Sequence, residues 1–578
     1  MSKPIEVAIQ SILFSGGQTV TFNKNDKVII VGPNNSGKSQ TLREIIELVS
    51  VNTINSGDVI KELNITKTGS FENFIKFLND NAKIDKDSYY SLGKMKAHQS
   101  WLHSWNDQQK LTHIHMLFFN NITANDRLNI CNQVEHINSE TDPKKPQHAL
   151  YDDPKLLDKI SSFFRKAFGK DLILNYRGGR FIPIHIGKKP NFDGFVDSVS
   201  KEYVDKVLES PLLEKQGDGV KSYAGILFES IAQEFDVTLI DEPEAFLHPP
   251  QMKLLGETLS SEVQGQLFVA THSSDILRGF LEGTKGNIRI LRIQREDNIN
   301  IIHEAESDAV KELWNKPVLR FSNALDGIFH EQVIICEDDS DCRLYNYTAE
   351  WIKNEKRENW LDTSYIPSGG KSAIHGIASV LRKIGVPTKA VFDIDFLSDK
   401  KLIEDTVNAF GGNSSDILKT WLRVDSFVRK GIKPNTNEQI KEKIIEIIKE
   451  SEKDKLKKSD IQDAMKAGQS WAILKQTGIV GLPSGDASIE FDKLINMLEA
   501  IGIYIVPVGE IERFNRKIPG HGPKFVTKVL TEHSLDEKEF SELKIFVEKV
   551  HKGNHSVIQP FYQTERGNKV AAEIANDR

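Results

Sequence analysis

The amino-acid sequence predicts an α/β protein of two units, each built on a largely parallel sheet with its chemistry at the strand C-termini. Three observations carry this. A complete Gly-x4-Gly-Lys-Ser loop joins a short apolar strand to an amphipathic helix within residues 27–49. A second run of apolar strands alternating with helical stretches begins at Val333. In both halves acidic residues close the strands, where open α/β sheets bind ligands. The 578 residues exceed the roughly 250–300 that one core serves, so more than one domain is expected. The simplest partition is a nucleotide-binding unit over 1–325, carrying a helical insertion at about 51–210, and a second unit with helical additions over 330–578.

Composition narrows the class. With 39% apolar and 27% charged residues and only 20 prolines, a disordered or fibrous chain is excluded. Cys131, Cys336 and Cys342 form no CxxC pair, so neither a disulfide framework nor a cysteine zinc site is expected. Glu6 interrupts the apolar run a signal peptide needs, and no stretch approaches ~20 apolar residues, so the sequence predicts a cytoplasmic protein with no membrane partner. A net charge of −7 decides little about nucleic acid, because basic footprints are local.

Along the chain, Lys27–Val31 is the first buried strand, and Leu42, Ile45, Ile46 and Val49 share one face of the helix after the loop. Residues 51–210 carry no repeat and include a helical stretch, Ser161–Gly169. Val237–Ile240 and Gln266–Ala270 are further buried strands, and Asn287–Arg295 with Asn298–His303 form a hairpin around Asp297-Asn298. A helical stretch over Ser307–Phe329 leads to strands Val333–Cys336, Lys389–Phe392 and Ile503–Val506. Glu438–Lys458 reads as a solvated amphipathic helix with Ile440, Ile444, Ile447 and Ile448 on one face.

The loop Gly32–Ser39 cradles phosphates with inward backbone N–H groups at a helix N-terminus. Lys38 places a charge at the β/γ-phosphates and Ser39 is a magnesium ligand, with Gly32, Asn35, Gly37 and Thr41 completing the nucleotide contacts of ATP. The partner carboxylates follow Val237–Ile240: Asp241 for magnesium and Glu242 for the attacking water. His272, after strand Gln266–Ala270, is placed to sense the γ-phosphate. Gln216–Ser222 precedes an apolar helix, and Gly219 and Ser222 would meet a nucleotide bound to a second copy, which makes a dimer the minimum assembly.

In the second unit Glu337 closes one strand, Asp341 opens the next helix, and Asp393 and Asp395 close another strand. Four carboxylates converging in one crevice require cations, and Mg²⁺ or Mn²⁺ are the natural neutralisers. Two such ions about 3.5–4 Å apart would activate water and stabilise a leaving oxygen in phosphodiester hydrolysis.

The motif order of the first unit resembles the ABC-type ATPases of DNA repair and chromosome maintenance, with Leu239–Pro249 as their acidic strand and following loop. Gln216–Ser222 departs from the common LSGGQ form, and Asn120–Arg127 is the nearest candidate for the glutamine loop. Glu337 followed by Asp393 and Asp395 resembles the TOPRIM domain, with Asp338 where that family has glycine. Both in one chain resemble the OLD (overcoming lysogenisation defect) family, which includes the Gabija nuclease subunit and retron-associated effectors. The resemblance implies that Glu510 and Glu512 add metal ligands, that Ser368–Lys371 is the glycine loop before the DxD strand, and that a lysine near the scissile phosphate is Lys524, with Lys517 next. It implies an ATP-regulated, metal-dependent DNA endonuclease of phage defence, a homodimer or higher oligomer, contacting DNA through groups such as Arg382, Lys383 and Arg513–Lys517. A companion defence protein, a reverse transcriptase or a non-coding RNA or DNA are partners of the same kind. The alternatives are an ATP-dependent DNA clamp or sensor without cutting, or a TOPRIM topoisomerase or primase.

Overall fold

The computed structural model describes residues 5–137, 145–192, 196–315, 323–433, 435–450, 461, 464–465 and 469–557. The chain divides into two compact units, Met1–Phe321 and Ser322–Ile558.

The first unit opens with β1 (Glu6–Phe14), β2 (Thr19–Thr21), β3 (Lys27–Val31), α1 (Lys38–Ser50) and β4 (Ile60–Thr68). β1 pairs antiparallel with β2 and β4 in a small sheet. Then come β5 (Phe119–Ile122), α2 (Ala124–Asn129), α3 (Pro154–Phe168), α4 (Asp218–Ile231), β6 (Val237–Asp241), β7 (Gln266–Ala270), β8 (Arg289–Glu296) and β9 (Ile299–Glu304). The central sheet has the order β9-β8-β3-β7-β6-β5, parallel throughout except for the β8–β9 hairpin turning at Asp297. Ile30 and Asp241 both pair with Ala270, so the phosphate loop and the acidic strand leave the sheet at one edge.

Burial follows from the parallel arrangement: Val28–Val31 and Leu267–Ala270 are apolar and buried without alternation. α1 lays Leu42, Ile45, Leu48 and Val49 on a core that also takes Ile9, Ile12 and Ile60 from the small sheet. Each such side chain contributes about 1.5–3 kcal/mol on burial, which holds α1 against β3. Residues 51–210 include helices such as α3, and they also supply β4 and β5, so this segment is woven into both sheets.

The second unit contains β10 (Gln332–Cys336), α5 (Asp339–Lys356), β11 (Thr363–Pro367), α6 (Lys371–Lys383), β12 (Thr388–Phe392), α7 (Ser470–Thr477), β13 (Ile503–Ile505), α8 (Pro523–Glu532) and α9 (Ser541–Lys552). Its four-stranded sheet, β11-β10-β12-β13, is entirely parallel. One face packs Ile334, Cys336, Val391 and Tyr504 against Leu344 of α5 and Phe546 of α9. Lys389 of β12 is buried, yet it donates to the Val550 and His551 carbonyls at the end of α9, at 2.8 and 2.6 Å. The helix dipole and two acceptors make that buried charge tolerable, although burial still pulls its pKa down to about 7.

The helix expected over Ser307–Phe329 is present as Ser307–Asn315 and a 3₁₀ segment, Asn323–Phe329; residues 316–322 lie outside the described residues. Of the solvated helix expected at Glu438–Lys458, Asn437–Glu450 is helical with no buried residue, and 451–458 lie outside the described residues.

Candidate nucleotide and metal sites

The phosphate loop is held from behind by the β8–β9 hairpin. A Cβ on Gly32 would sit 2.1 Å from the Ile293 carbonyl, so only glycine fits there. Asn300 of β9 donates from Nδ2 to the Ser36 carbonyl at 2.6 Å. Asn35 turns the loop in a left-handed conformation, φ 60°, and Gly37 caps α1. Lys38 is buried and folds over the loop, its Nζ donating to the Gly32 and Pro33 carbonyls at 2.8 and 2.6 Å. Burial pulls its pKa down to about 8, against the opposing pull of Glu242, Glu244 and Asp241.

The acidic strand reaches the same place. Ser39 Oγ donates to Asp241 Oδ1 at 2.8 Å, and burial raises the Asp241 carboxyl above its usual range. Glu242 has φ 45°, a left-handed turn that puts its carboxylate 3.7 Å from His272 Nε2. Glu244 accepts from the His272 backbone N–H at 2.6 Å and from Thr271 Oγ1 at 2.8 Å. The structure therefore gathers Lys38, Ser39, Asp241, Glu242 and His272 at one sheet edge. These residues fit a magnesium nucleotide: donors ring the loop, and a hydroxyl–carboxylate pair stands beside it.

Three expected contacts turn inward instead. Thr41 is buried and its hydroxyl donates to the Gly37 carbonyl at 2.9 Å, a bond within the helix. Gly219 and Ser222, read as facing a second copy, pack on the loop after β6 of their own chain. A Cβ on Gly219 would meet the Phe246 carbonyl at 2.5 Å. Ser222 is fully buried, with Oγ donating to the Ala245 carbonyl at 3.3 Å. The physical reason is that α4 begins at Asp218, so both residues lie inside its first turns.

In the second unit, Glu337, Asp393 and Asp395 each offer a ligand atom within 4.8 Å of the others. The sequence places the two aspartates on an alternating strand; β12 in fact ends at Phe392, and a 3₁₀ turn follows, with Asp393 as its extended N-cap and Asp395 inside it. The Ile394 N–H donating to the Gly509 carbonyl at 3.0 Å fixes that turn. Glu337 Oε1 accepts the Asp393 backbone N–H at 3.1 Å. Burial first, then Asp393 and Asp395, push Glu337 well above the usual carboxyl range. Burial likewise pushes Asp341 up to about 7 and raises Asp393. Asp341 also closes a capping box on Asp338 at the start of α5. On Asp395 burial acts upward, but Lys475 and Lys371 together outweigh it and hold the group low.

Two lysines stand inside this group, and neither is among those expected. Lys475 of α7 lies 2.7 Å from Asp393 Oδ2 and 3.4 Å from Asp395 Oδ1. Lys371, at the start of α6, lies 2.8 Å from Asp395 Oδ2. Lys524 is an exposed residue of α8, and Lys517 pairs with Glu539 at 2.5 Å. Lys475 sits far from any acidic motif in sequence, so spacing gives no signal for it; Lys371 ends the glycine loop already singled out. Glu510 and Glu512 join His521 in a second set of ligand atoms within 4.8 Å of one another. Glu512 accepts from the Gly522 N–H at 2.6 Å, and Glu510 pairs with Arg513 at 3.1 Å. Arg382, expected to meet DNA, is turned inward to the Ala409 carbonyl. Crowded, half-neutralised carboxylates with lysines in their midst fit divalent cations.

Comparison with known proteins agrees with this division. Residues 27–278 match the family model "AAA domain", whose description also names the AbiEii toxin of a type IV TA system. Residues 328–395 match "Overcoming lysogenization defect protein-like, TOPRIM domain". The chain joins a P-loop ATPase fold to an OLD-like TOPRIM domain. The Old nuclease of Escherichia phage P2 is 27% identical over 173 residues, which is 28% of this chain and 28% of that relative. The match therefore spans under a third of the relative's length. Solved structures similar to this chain include an SMC head domain from Thermotoga maritima, at 11% identity and TM-score 0.27, covering 53% of this chain and 100% of that one. A second is the Smc head domain from Pyrococcus furiosus with an extended coiled coil, bound to the C-terminal domain of ScpA, at 12% identity and TM-score 0.31, covering 53% and 98%. Among the described residues, no helix is long and apolar enough to cross a membrane.

Proposed function

We propose that the chain is a divalent-metal-dependent DNA endonuclease governed by ATP, acting in the cytoplasm as a homodimer or higher assembly in defence against phage. The observation that carries this reading is the meeting of Glu337, Asp393 and Asp395 with Lys371 and Lys475 at the C-terminal edge of a parallel sheet. In it, Glu337, Asp341, Asp393 and Asp395 hold Mg²⁺ or Mn²⁺, with Glu510, Glu512 and His521 as a second ligand set. When bound, such ions supply an activated water and stabilise the leaving oxygen. Lys475 brings a positive charge to the scissile phosphate, in place of Lys524. In the first unit, Lys38, Ser39 and Asp241 hold ATP with its magnesium, Glu242 orients water, and His272 reads the γ-phosphate. A companion defence protein, a reverse transcriptase or a non-coding nucleic acid belongs to the same reading as a partner.

The test is a supercoiled plasmid incubated with the protein and Mg²⁺ or Mn²⁺. Nicked and then linear DNA is expected, with cutting lost in excess EDTA. Relaxed closed circles would favour a topoisomerase, and intact plasmid under every condition would sink the nuclease reading.

Proton linkage gives an independent check on the metal. Carboxyls whose folded pKa is raised contribute stability that is fully present below their unfolded pKa near 4 and is lost as pH rises through the folded value. That value is about 7 for Asp341, and Glu337 and Asp393 are raised alongside it. A cation takes the place of those protons. The rise in Tm produced by Mg²⁺ is therefore expected to be larger at pH 8 than at pH 6; a shift equal at both would argue against these carboxylates as the ligands.

A further inference from the structure

Arg127 is fully buried on the short helix α2, directly after β5 at the sheet edge beside β6. Nη1 donates to the Asp241 carbonyl at 3.3 Å, while Nε and Nη2 are buried with no partner. The charges facing it are Glu244, Asp241 and Glu242, the acidic turn of the nucleotide site. A buried guanidinium with unmade bonds is costly, although the three carboxylates facing it offset part of that cost. Its retention beneath three carboxylates points to a task in the site.

The surroundings show what that task connects. α4 runs so close to α2 that a Cβ on Gly225 would fall 1.9 Å from the Arg127 carbonyl. The same helix carries Ser222, bonded to Ala245 in the loop after Asp241. α4, through Ser222, and Arg127 thus each hold the acidic turn, and that turn includes Glu242 in a left-handed conformation that needs support.

We propose that Arg127 is a positioning residue for ATP hydrolysis: through it α2 and α4 hold the Asp241–Glu244 turn in hydrolytic geometry. The proposal rests on the reading that the first unit hydrolyses ATP. The spare donors Nε and Nη2 give the guanidinium capacity to take a second oxygen of this turn, which a single-point cation lacks.

The experiment compares wild type, Arg127→Met and Arg127→Lys in the full chain, with Lys38→Ala as control. Three quantities are measured: Tm without nucleotide, affinity for a fluorescent ATP analogue, and kcat for ATP. For Arg127→Met the expected result is a somewhat lower Tm, because three carboxylates lose a counter-charge, with affinity within about threefold and kcat lower by about 10–100-fold, the range for groups that orient a site. Arg127→Lys should recover part of that loss, having charge without the fork. Wild-type kcat in Arg127→Met would overturn the proposal, as would Tm, affinity and kcat falling together in both variants, the pattern of a purely structural residue. Hydrolysis that does not depend on Lys38 would instead sink the ATPase reading beneath it.

Discussion

Asp393→Ala is expected to slow plasmid cutting at least about 10³-fold while leaving ATP binding unchanged. The size follows from the several kcal/mol that metal-ion catalysis supplies, at about 1.4 kcal/mol per tenfold in rate. Asp393 is the most exacting choice because it ties Glu337, Lys475 and the Asp395 turn together. Its N–H holds Glu337, its Oδ2 holds Lys475, and Asp395 shares the same turn. Removing it also leaves Lys475 with one carboxylate instead of two, so some loss of stability is expected. Asp393→Asn separates the two effects. It keeps the shape and the backbone N–H to Glu337 but removes the negative charge, so it should fold well and still fail to cut. Cleavage by Asp393→Asn at wild-type rate, measured with the same Mg²⁺, would show that the carboxylates are not the cutting centre.

Much of this was legible in the chain because the informative signals are local. Gly32–Ser39 must be a loop between strand and helix whatever surrounds it, and Asp241 after the β-branched and apolar run Val237–Ile240 must end a strand. The acidic pairs were legible for the same reason, although the aspartates reach their places at a 3₁₀ turn. The missing parts are those that tertiary packing alone brings in. Lys475 arrives from a helix 80 residues after Asp395, and nothing in its own neighbourhood marks it. Ser222 looks like a polar residue at a helix start; only the packing of α4 on the Asp241–Leu247 loop shows that it is buried. Arg127 lies in the stretch expected to hold the glutamine loop, but charge and spacing cannot reveal that its side chain turns inward.

Lys38→Ala is expected to abolish ATP binding, and thermal unfolding reads this directly. A ligand that binds only the folded state at 100 times its Kd adds about 2.7 kcal/mol of stability, so saturating ATP should raise the wild-type Tm by several degrees. The variant should show no rise at the same concentration, because the loop loses the lysine that places a charge at the β/γ-phosphates. Without nucleotide its Tm should not fall much. Lys38 is buried with its pKa drawn down to about 8, so at neutral pH its charge costs the folded state more than the unfolded one. A lysine with a lowered folded pKa favours folding only as pH rises from about 8 toward 10.5. Removing it at pH 7 thus removes a cost along with two hydrogen bonds to loop carbonyls. The same variant decides whether the two units are coupled. If ATP governs cutting, wild-type nuclease activity changes with ATP and that of Lys38→Ala does not; an identical response in both proteins would mean that nucleotide acts on DNA cleavage by some route other than this loop.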